Sequence, residues 1–381
     1  MISFRAWISI NTFDFQSSNF TFFWLAGRMV LQGENPYDET QYLAGHETYG
    51  IKWQPNRIFP YPLPLAIIFI PLGLLSLPAA YVTWQVITLI IIAATIFLLL
   101  NHWQESASRR LLVPVFAAMF FFGPQYLALH TGSVGALAIL SIVGAILLLE
   151  RDKSLLAGVV LSLTILKPPQ GVTILLLAGI WFLARRDWKA IYGVAIGGIS
   201  LLIIGMIQDP LWLIKFRGAS EAVMDRTQGV HSNVWAFAYL ACSGASPCWT
   251  LLGGALSLIL LGLAGYFLWK NQAKWSVWEA FNVIIPIGFV STIYLWAYDQ
   301  IPYIIPIVWI IGTLVERTKS YLYAIIFLIL LDVFSIFALL QQALTDKDLW
   351  SLGTTVLVLG ITLGLMYLNK TKPIDKPSLT A

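Results

Sequence analysis

The sequence predicts an all-α, polytopic membrane protein, and three observations carry that reading. Of its 381 residues 58% are hydrophobic and only 11% are charged, with a mean hydropathy of +0.78. A soluble domain carries roughly 25% charged residues, so this chain lacks the charge to cover a water-facing surface. Second, apolar runs recur at residues 89–100, 139–149, 199–207 and 251–263, and residues 320–340 hold a single interior acid, Asp332. Roughly 20 apolar residues in a helix span a hydrocarbon core of about 30 Å. The runs do not alternate as barrel strands do, which leaves helices to satisfy the backbone in lipid. Third, lysine and arginine collect in the short connections between these runs, as bilayer topology demands.

The charges set an expected topology. Taking residues 79–101 as an outward-to-inward span places Arg109 and Arg110 inside. Spans at 111–128 and 134–149 then place Arg151 and Lys153 inside, and spans at 154–166 and 171–184 do the same for Arg185, Arg186 and Lys189. The same walk gathers Lys270, Lys274, Arg317, Lys319 and the tail lysines Lys370, Lys372 and Lys376 on that face. The expectation is a bundle of about eleven transmembrane helices in a cell membrane, with residues 369–381 as a cytoplasmic tail. It requires residues 62–77, punctuated by Pro62, Pro64 and Pro71, to form a re-entrant or juxtamembrane helix rather than a crossing. The first thirteen residues are too short to span, and are read as an interfacial helix or the end of a longer one. The net charge of +4 is dispersed over loops and gives no reason to expect a nucleic-acid partner. Cys242 and Cys248 flank a short loop, where a disulfide and two unpaired thiols both fit.

The opposite face gathers residues 14–61, the turn 130–133, the turn 167–170, the stretch 208–233 and the tripeptide 298–300. Spans 154–166 and 171–184 cover only about 20 Å each at helical rise, so their turn is expected to sit in a recess. Asp14 stands at the membrane edge before a helix bearing Phe20, Phe23, Trp24 and Arg28. An acid there either has a chemical task, burial raising its pKa toward that of a general base, or caps the helix. Lys167, between an apolar run and Pro168–Pro169, goes against the positive-inside bias. It suits a phosphate as a point charge, or snorkels to the interface. Arg226, His231 and Asn233 are placed to meet phosphate or sugar hydroxyls, although mixed charges at this spacing also describe a solvated amphipathic helix. His130 is a lone histidine that reads as a hydrogen-bonded structural residue rather than a catalyst, and it is kept only as a candidate sugar contact. Tyr298 and Asp299 form a polar break that fits both a binding role and a simple turn. Glu279 and Asp332, near or inside spans, would instead mark an ion pathway in a secondary transporter. No Cys/His spacing suggests a metal, and no nucleotide-binding or serine-hydrolase motif is present.

In order along the chain stand an early acid with an aromatic helix, the turn GENPYD, and YPLPLAIIFIPLGLLSLPAA. TGSVGALAIL, LLAGVVLSLTILKPPQGVTILLL ending near RRDWK, and YLWAYDQIPYIIP follow. Together they resemble glycosyltransferase family 87, the polyprenol-phosphate-mannose-dependent mannosyltransferases. The resemblance implies a C-type glycosyltransferase membrane fold in which residues 1–368 form one catalytic domain, with 14–78 as an outer-face loop. It implies a polyprenyl-phosphate-linked sugar as donor, a lipid or glycan acceptor, inversion at the anomeric carbon, and no cofactor. By resemblance Asp14 is the base and Lys167 lies near the donor phosphate. The residues themselves add Arg226 as a candidate for the donor phosphate, and Arg28, His130, His231, Asn233, Tyr298 and Asp299 as candidates for acceptor or sugar. The turn TGSVG lacks the expected Gly-Gln pair, so that glutamine's role does not transfer. A secondary transporter or a catalytically degenerate scaffold are the competing expectations.

Overall fold

A computed structural model describes residues 18–51, 56–102 and 112–371, which are helical with no strand among them. Asp14, Arg109 and Arg110 lie outside the described residues. Among the described residues six helices are long and apolar enough to cross a membrane: Leu77–Leu100, Trp188–Gln208, Cys248–Lys270, Ile301–Thr318, Leu322–Thr345 and Leu349–Asn369. A bent pair around Gly123 makes up to seven. Most of these long helices bury less than two fifths of their apolar window within the protein. Their outward residues, such as Ile207, Leu258 and Val333, are apolar and exposed. A surface of this extent without polar cover is suited to lipid rather than water.

In chain order the helices are α1 (Phe20–Leu31), α2 (Glu39–Thr48), the short α3 (Leu63–Ile68) and α4 (Ile70–Gly73), and α5 (Leu77–His102). The bent pair is α6 (Leu112–Phe121) and α7 (Gly123–Thr131), followed by α8 (Gly135–Leu149), α9 (Ser154–Ser162) with a 3-10 turn (Leu163–Leu166), and α10 (Pro168–Ala184). Then come α11 (Trp188–Gln208), α12 (Trp212–Arg226), α13 (Val234–Ala241), α14 (Cys248–Lys270) and α15 (Val277–Ser291). The last three are α16 (Ile304–Thr318), α17 (Leu322–Thr345) and α18 (Leu352–Thr371).

Proline places several of these boundaries. Residues 62–77 break into two helices of six and four residues, with Pro64 and Pro71 in their first turns. Neither is long enough to cross a bilayer, in line with the juxtamembrane expectation. The α6–α7 pair turns through 65°, with Pro124 in the first turn of α7. Lys167 takes a non-helical φ of −121° and ψ of 81°, because the ring of the following proline disfavours the α conformation. Thus one long apolar run becomes a helical hairpin with Lys167 at its apex.

Cross-links between connections define two ends of the bundle. At one end Arg185 donates to the Gln272 carbonyl at 3.1 Å, Arg317 to Asn369 at 2.7 Å, and the Trp278 indole to Glu150. At the other, Lys167 pairs with Asp299, the Ser232 backbone N–H donates to the Leu295 carbonyl at 2.9 Å, and that of Asp348 to Val230 at 2.7 Å. The short helices α9, α10 and α15 therefore run from one end to the other. Among the described residues that the topology walk gathered inside, Arg185, Lys270 and Arg317 fall at the first end. Glu279 belongs there too: it forms a capping box with Ser276 at the start of α15. It satisfies orphan helix donors, which removes it from any intramembrane ion pathway.

Close packing depends on small residues. A methyl group on Gly158 would meet the Ala190 carbonyl oxygen at 2.1 Å, and one on Gly193 would meet that of Leu155 at 2.1 Å. A methyl on Gly197 would strike the Ser162 hydroxyl at the same distance. The α9–α11 contact is thus backbone against backbone, the small-residue association that helices use where the hydrophobic effect gives them no reason to pair.

At the second end α1 packs on α3–α4 through an aromatic cluster, Phe20, Phe23 and Phe69 being buried. Arg28 donates to Tyr49 Oη at 2.7 Å and to the Gly73 carbonyl at 2.9 Å. Asp209, after α11, accepts from Lys215 Nζ at 2.6 Å, Asn35 Nδ2 at 2.8 Å and the Leu211 backbone at 3.0 Å. Burial works to raise this carboxyl, but the hydrogen bonds from Lys215, Asn35 and Leu211, with the Lys215 charge, outweigh it and hold it below its ordinary value. Cys242 and Cys248 are disulfide-bonded, resolving the alternative left open by the sequence.

Three outcomes follow from this architecture. Gly158→Ala or Gly193→Ala forces the two backbones apart and destabilises the protein by about 1–3 kcal/mol, read as a lower melting temperature in detergent. Maleimide labelling finds no thiol until the protein is reduced, and two thereafter. Because the Asp209 value is depressed, its stabilisation is full above the unfolded carboxylate value of about 4 and is lost as pH falls through the lower folded value. Asp209→Asn therefore lowers the melting temperature at pH 7, and the gap from the unmodified protein closes as the pH drops below about 4.

Candidate functional site

A cavity of about 520 Å³ opens at the second end. It is bounded by Lys167, Pro168 and Pro169 at the hairpin apex, Phe216, Ser220, Val223, Met224 and Arg226 on α12 with Thr227 just after it, the segment after α15, and Asn19, Asn56 and Tyr61 from the chain's first part. Leu127 and Thr131 of α7 and Gln342 of α17 complete it. Two cationic side chains line it, Lys167 and Arg226, and no acidic one does among the described residues. Six aromatic residues share the lining: Phe22, Tyr61, Phe216, Tyr294, Trp296 and Tyr298.

The segment 292–300 holds this arrangement. It has left the helical ladder, so its polar groups need other partners. Pro169 accepts from the Thr292 hydroxyl at 2.5 Å, and the Leu295 carbonyl accepts from both the backbone and the hydroxyl of Ser232. The Ala297 N–H donates to Asp348, and the Gln300 side chain donates to the Ser351 carbonyl at 3.0 Å. Three otherwise separate parts of the chain are thus pinned to one irregular strap.

Lys167 and Asp299 form an ion pair, both side chains nearly buried at 10% and 1% exposure. Asp299 also accepts from Gln170 Nε2 at 3.0 Å and the Trp296 backbone at 3.1 Å. Burial pushes the Asp299 carboxyl up, and the Lys167 charge with these hydrogen bonds opposes it. Lys167 Nζ lies 5.0 Å from the centre of the Tyr298 ring, a cation–π distance. Its ammonium is therefore held at the cavity wall by an acid that does not itself line the cavity. Arg226 donates from Nη2 to Asn56 Oδ1 at 2.6 Å and from Nε to the Ala222 carbonyl at 3.0 Å.

His231 is buried at 4% exposure, with its ring against Tyr294 and Trp296. Burial pushes its imidazole down to about 4, so it is neutral at pH 7. Its Nε2 bonds the hydroxyl of Thr227, a cavity residue, at 3.0 Å. His231 thus acts behind the wall. Asn233 is fully buried and caps α13, accepting from the Ala236 N–H at 2.9 Å.

Of the residues expected from the sequence, the structure brings Lys167, Arg226 and Tyr298 to the cavity, with Asp299 and His231 immediately behind them. Arg28 is committed to Tyr49 and Gly73, and His130 stacks on Tyr126; neither lines the cavity. Asn233 serves the local helix. Asp14 lies outside the described residues; Asn19, five positions later, lines the cavity. Sequence reasoning missed Asn56, Tyr61, Gln170, Thr227, Tyr294 and Trp296. Gln170, Tyr294 and Trp296 flank residues that were singled out, and an expectation extended by one helical turn from Lys167 or Tyr298 would have included them. Asn56 and Tyr61 carry no such local signal.

The profile of glycosyltransferase family 87 matches residues 59–290, a range that contains Lys167, Arg226 and His231. Comparison with curated proteins and with solved structures returned no match. The match covers more than half of the chain, which belongs to glycosyltransferase family 87.

Proposed function

We propose that this glycosyltransferase moves a sugar, mannose or another hexose, from a polyprenyl-phosphate donor to a glycolipid or glycan acceptor at the outer face of the plasma membrane. The observation that carries the reading is the composition of the cavity. It presents Lys167 and Arg226 with no lining acid among the described residues, at the end away from the Arg185 and Arg317 connections. A cavity with that charge favours an anion, and its aromatic wall favours the apolar faces of a sugar or prenyl chain. The end-to-end course of the short helices supports about eleven crossings of a C-type bundle, with the shorter ones leaving the cavity recessed.

In the proposed reaction an acceptor hydroxyl oxygen attacks the anomeric carbon from the face opposite the phosphate. Its proton passes to Asp14, whose carboxylate is the base. The bond from the anomeric carbon to the phosphate oxygen breaks with its electron pair, inverting the configuration and releasing polyprenyl phosphate. The leaving phosphate gains negative charge as that bond breaks. Lys167, fixed by Asp299, and Arg226, fixed by Asn56, stabilise it by charge and hydrogen bonds positioned in advance. The neutral imidazole of His231 orients the Thr227 hydroxyl at the wall.

Transfer from radiolabelled polyprenyl-phosphate mannose, and from its glucose counterpart, in proteoliposomes tests this scheme. Asp14→Asn is expected to lower kcat by about 10²–10⁴-fold, the usual contribution of a general base. Arg226→Ala is expected to weaken donor use by about 10–100-fold, the loss of a hydrogen bond to a charged group. Lys167→Met strands Asp299 and destabilises the protein by about 3–5 kcal/mol. Lys167→Met combined with Asp299→Asn restores the melting temperature but not the transfer. Unchanged transfer in Asp14→Asn and Arg226→Ala contradicts the scheme.

A further inference from the structure

A smaller cavity of about 120 Å³ lies on the other side of α12, between its last turns and the corner formed by α13 and α14. Three aromatic rings wall it: Trp235 and Tyr239 from α13 and Trp249 from α14. Trp249 stands edge-on to both, with ring centres 6.4 Å from Trp235 and 5.8 Å from Tyr239. The opposite wall carries Glu221, Asp225 and Gln228.

The disulfide builds this corner. Cys242 directly follows α13, and Cys248 is the first residue of α14. Their bond holds Tyr239 against Trp249 across a seven-residue loop. The Gly244 N–H closes the loop on the Tyr239 carbonyl at 2.8 Å. The aromatic wall is consequently fixed before any ligand arrives.

The chemistry of the two cavities is opposite. The larger has two cations and no acid in its described lining; the smaller has two acids and neither lysine nor arginine. A phosphate is attracted to the first and repelled by the second. A neutral polyol suits the second, since its hydroxyls donate to carboxylates while its C–H faces lie on aromatic rings. Glu221 is already engaged by Arg217 at 2.8 Å, and Asp225 accepts only a long 3.3 Å contact from Gln228 among its hydrogen bonds. Asp225 is therefore the acid with capacity for a sugar hydroxyl.

The two cavities are also neighbours. Met224 lines both, and His231, which lines the smaller, bonds Thr227, which lines the larger. The His231 Nδ1 is buried and lacks a hydrogen-bond partner, so the partition between them contains an unsatisfied polar group.

We propose that the smaller cavity is a subsite for a neutral pyranose unit of the acceptor, held on Trp249 and Tyr239 with a hydroxyl on Asp225. This deepens the glycosyltransferase reading and rests on it. The volume is that of about four waters, so one sugar ring enters edgewise and the rest of the acceptor stays outside or runs toward the larger cavity.

Saturation-transfer NMR on the whole protein in nanodiscs, with the methyl α- and β-glycosides of mannose, glucose and galactose, tests the subsite. Binding of polyprenyl phosphate is measured in parallel. At least one glycoside is expected to receive saturation, and Asp225→Asn and Trp249→Leu should each weaken that signal about tenfold or more while leaving polyprenyl phosphate binding unchanged. Non-reducing mass analysis of Trp249→Leu confirms that its disulfide has formed. No glycoside signal from the unmodified protein, or a signal unaffected by both substitutions, overturns the subsite. A glycoside signal abolished by both substitutions, with no polyprenyl phosphate binding to the unmodified protein, supports the subsite and instead counts against the proposed donor.

Discussion

The buried pair of Lys167 and Asp299 is the interaction on which the site depends. Two charges held away from water are tolerated only when paired and further hydrogen-bonded, and here Gln170 and the Trp296 backbone supply the additional bonds. The pair ties the apex of one helical hairpin to the irregular strap between α15 and α16. That strap in turn holds Ser232 and Asp348. The ammonium reaches the cavity while its counter-ion stays behind it. A polar break inside an apolar stretch, costly by itself, thus becomes the frame of a binding site.

Charge is distributed over the bundle on two scales. Across its length, connections bearing Arg185, Lys270 and Arg317 gather at one end and the cavity forms at the other. Within the cavity end, cations face the larger space and acids the smaller, with α12 between them. One amphipathic helix therefore separates two environments, since Arg226 and Asp225 are consecutive and point their chemistry to different sides. The capping and ion-pair roles of Asp209 and Glu279 show that other acids near the helix ends serve the architecture.

The class of the fold was legible because lipid imposes a coarse rule on composition and on the spacing of apolar runs. The hairpin at Lys167 was legible too, since Pro168 and Pro169 interrupt an otherwise continuous run and a lysine stands at the break. The sequence also offered Arg226, within a stretch of mixed charges, and Tyr298, in a polar break between apolar segments, as candidates. It did not reveal that Asp299 would be the partner of Lys167, which comes from 132 positions away. Nor did it separate Arg28, His130 and Asn233, whose polar groups serve neighbouring backbone and rings, from residues that face the cavity. Such pairings depend on how helices cross, and local patterning carries no record of that.

A structure of the protein in a lipid nanodisc with polyprenyl monophosphate bound tests the account most directly. The phosphate is expected in the larger cavity, in contact with both the Lys167 ammonium and the Arg226 guanidinium, with Asp299 still paired behind Lys167. Phosphate bound elsewhere, or a cavity filled without contact to either cation, would contradict it.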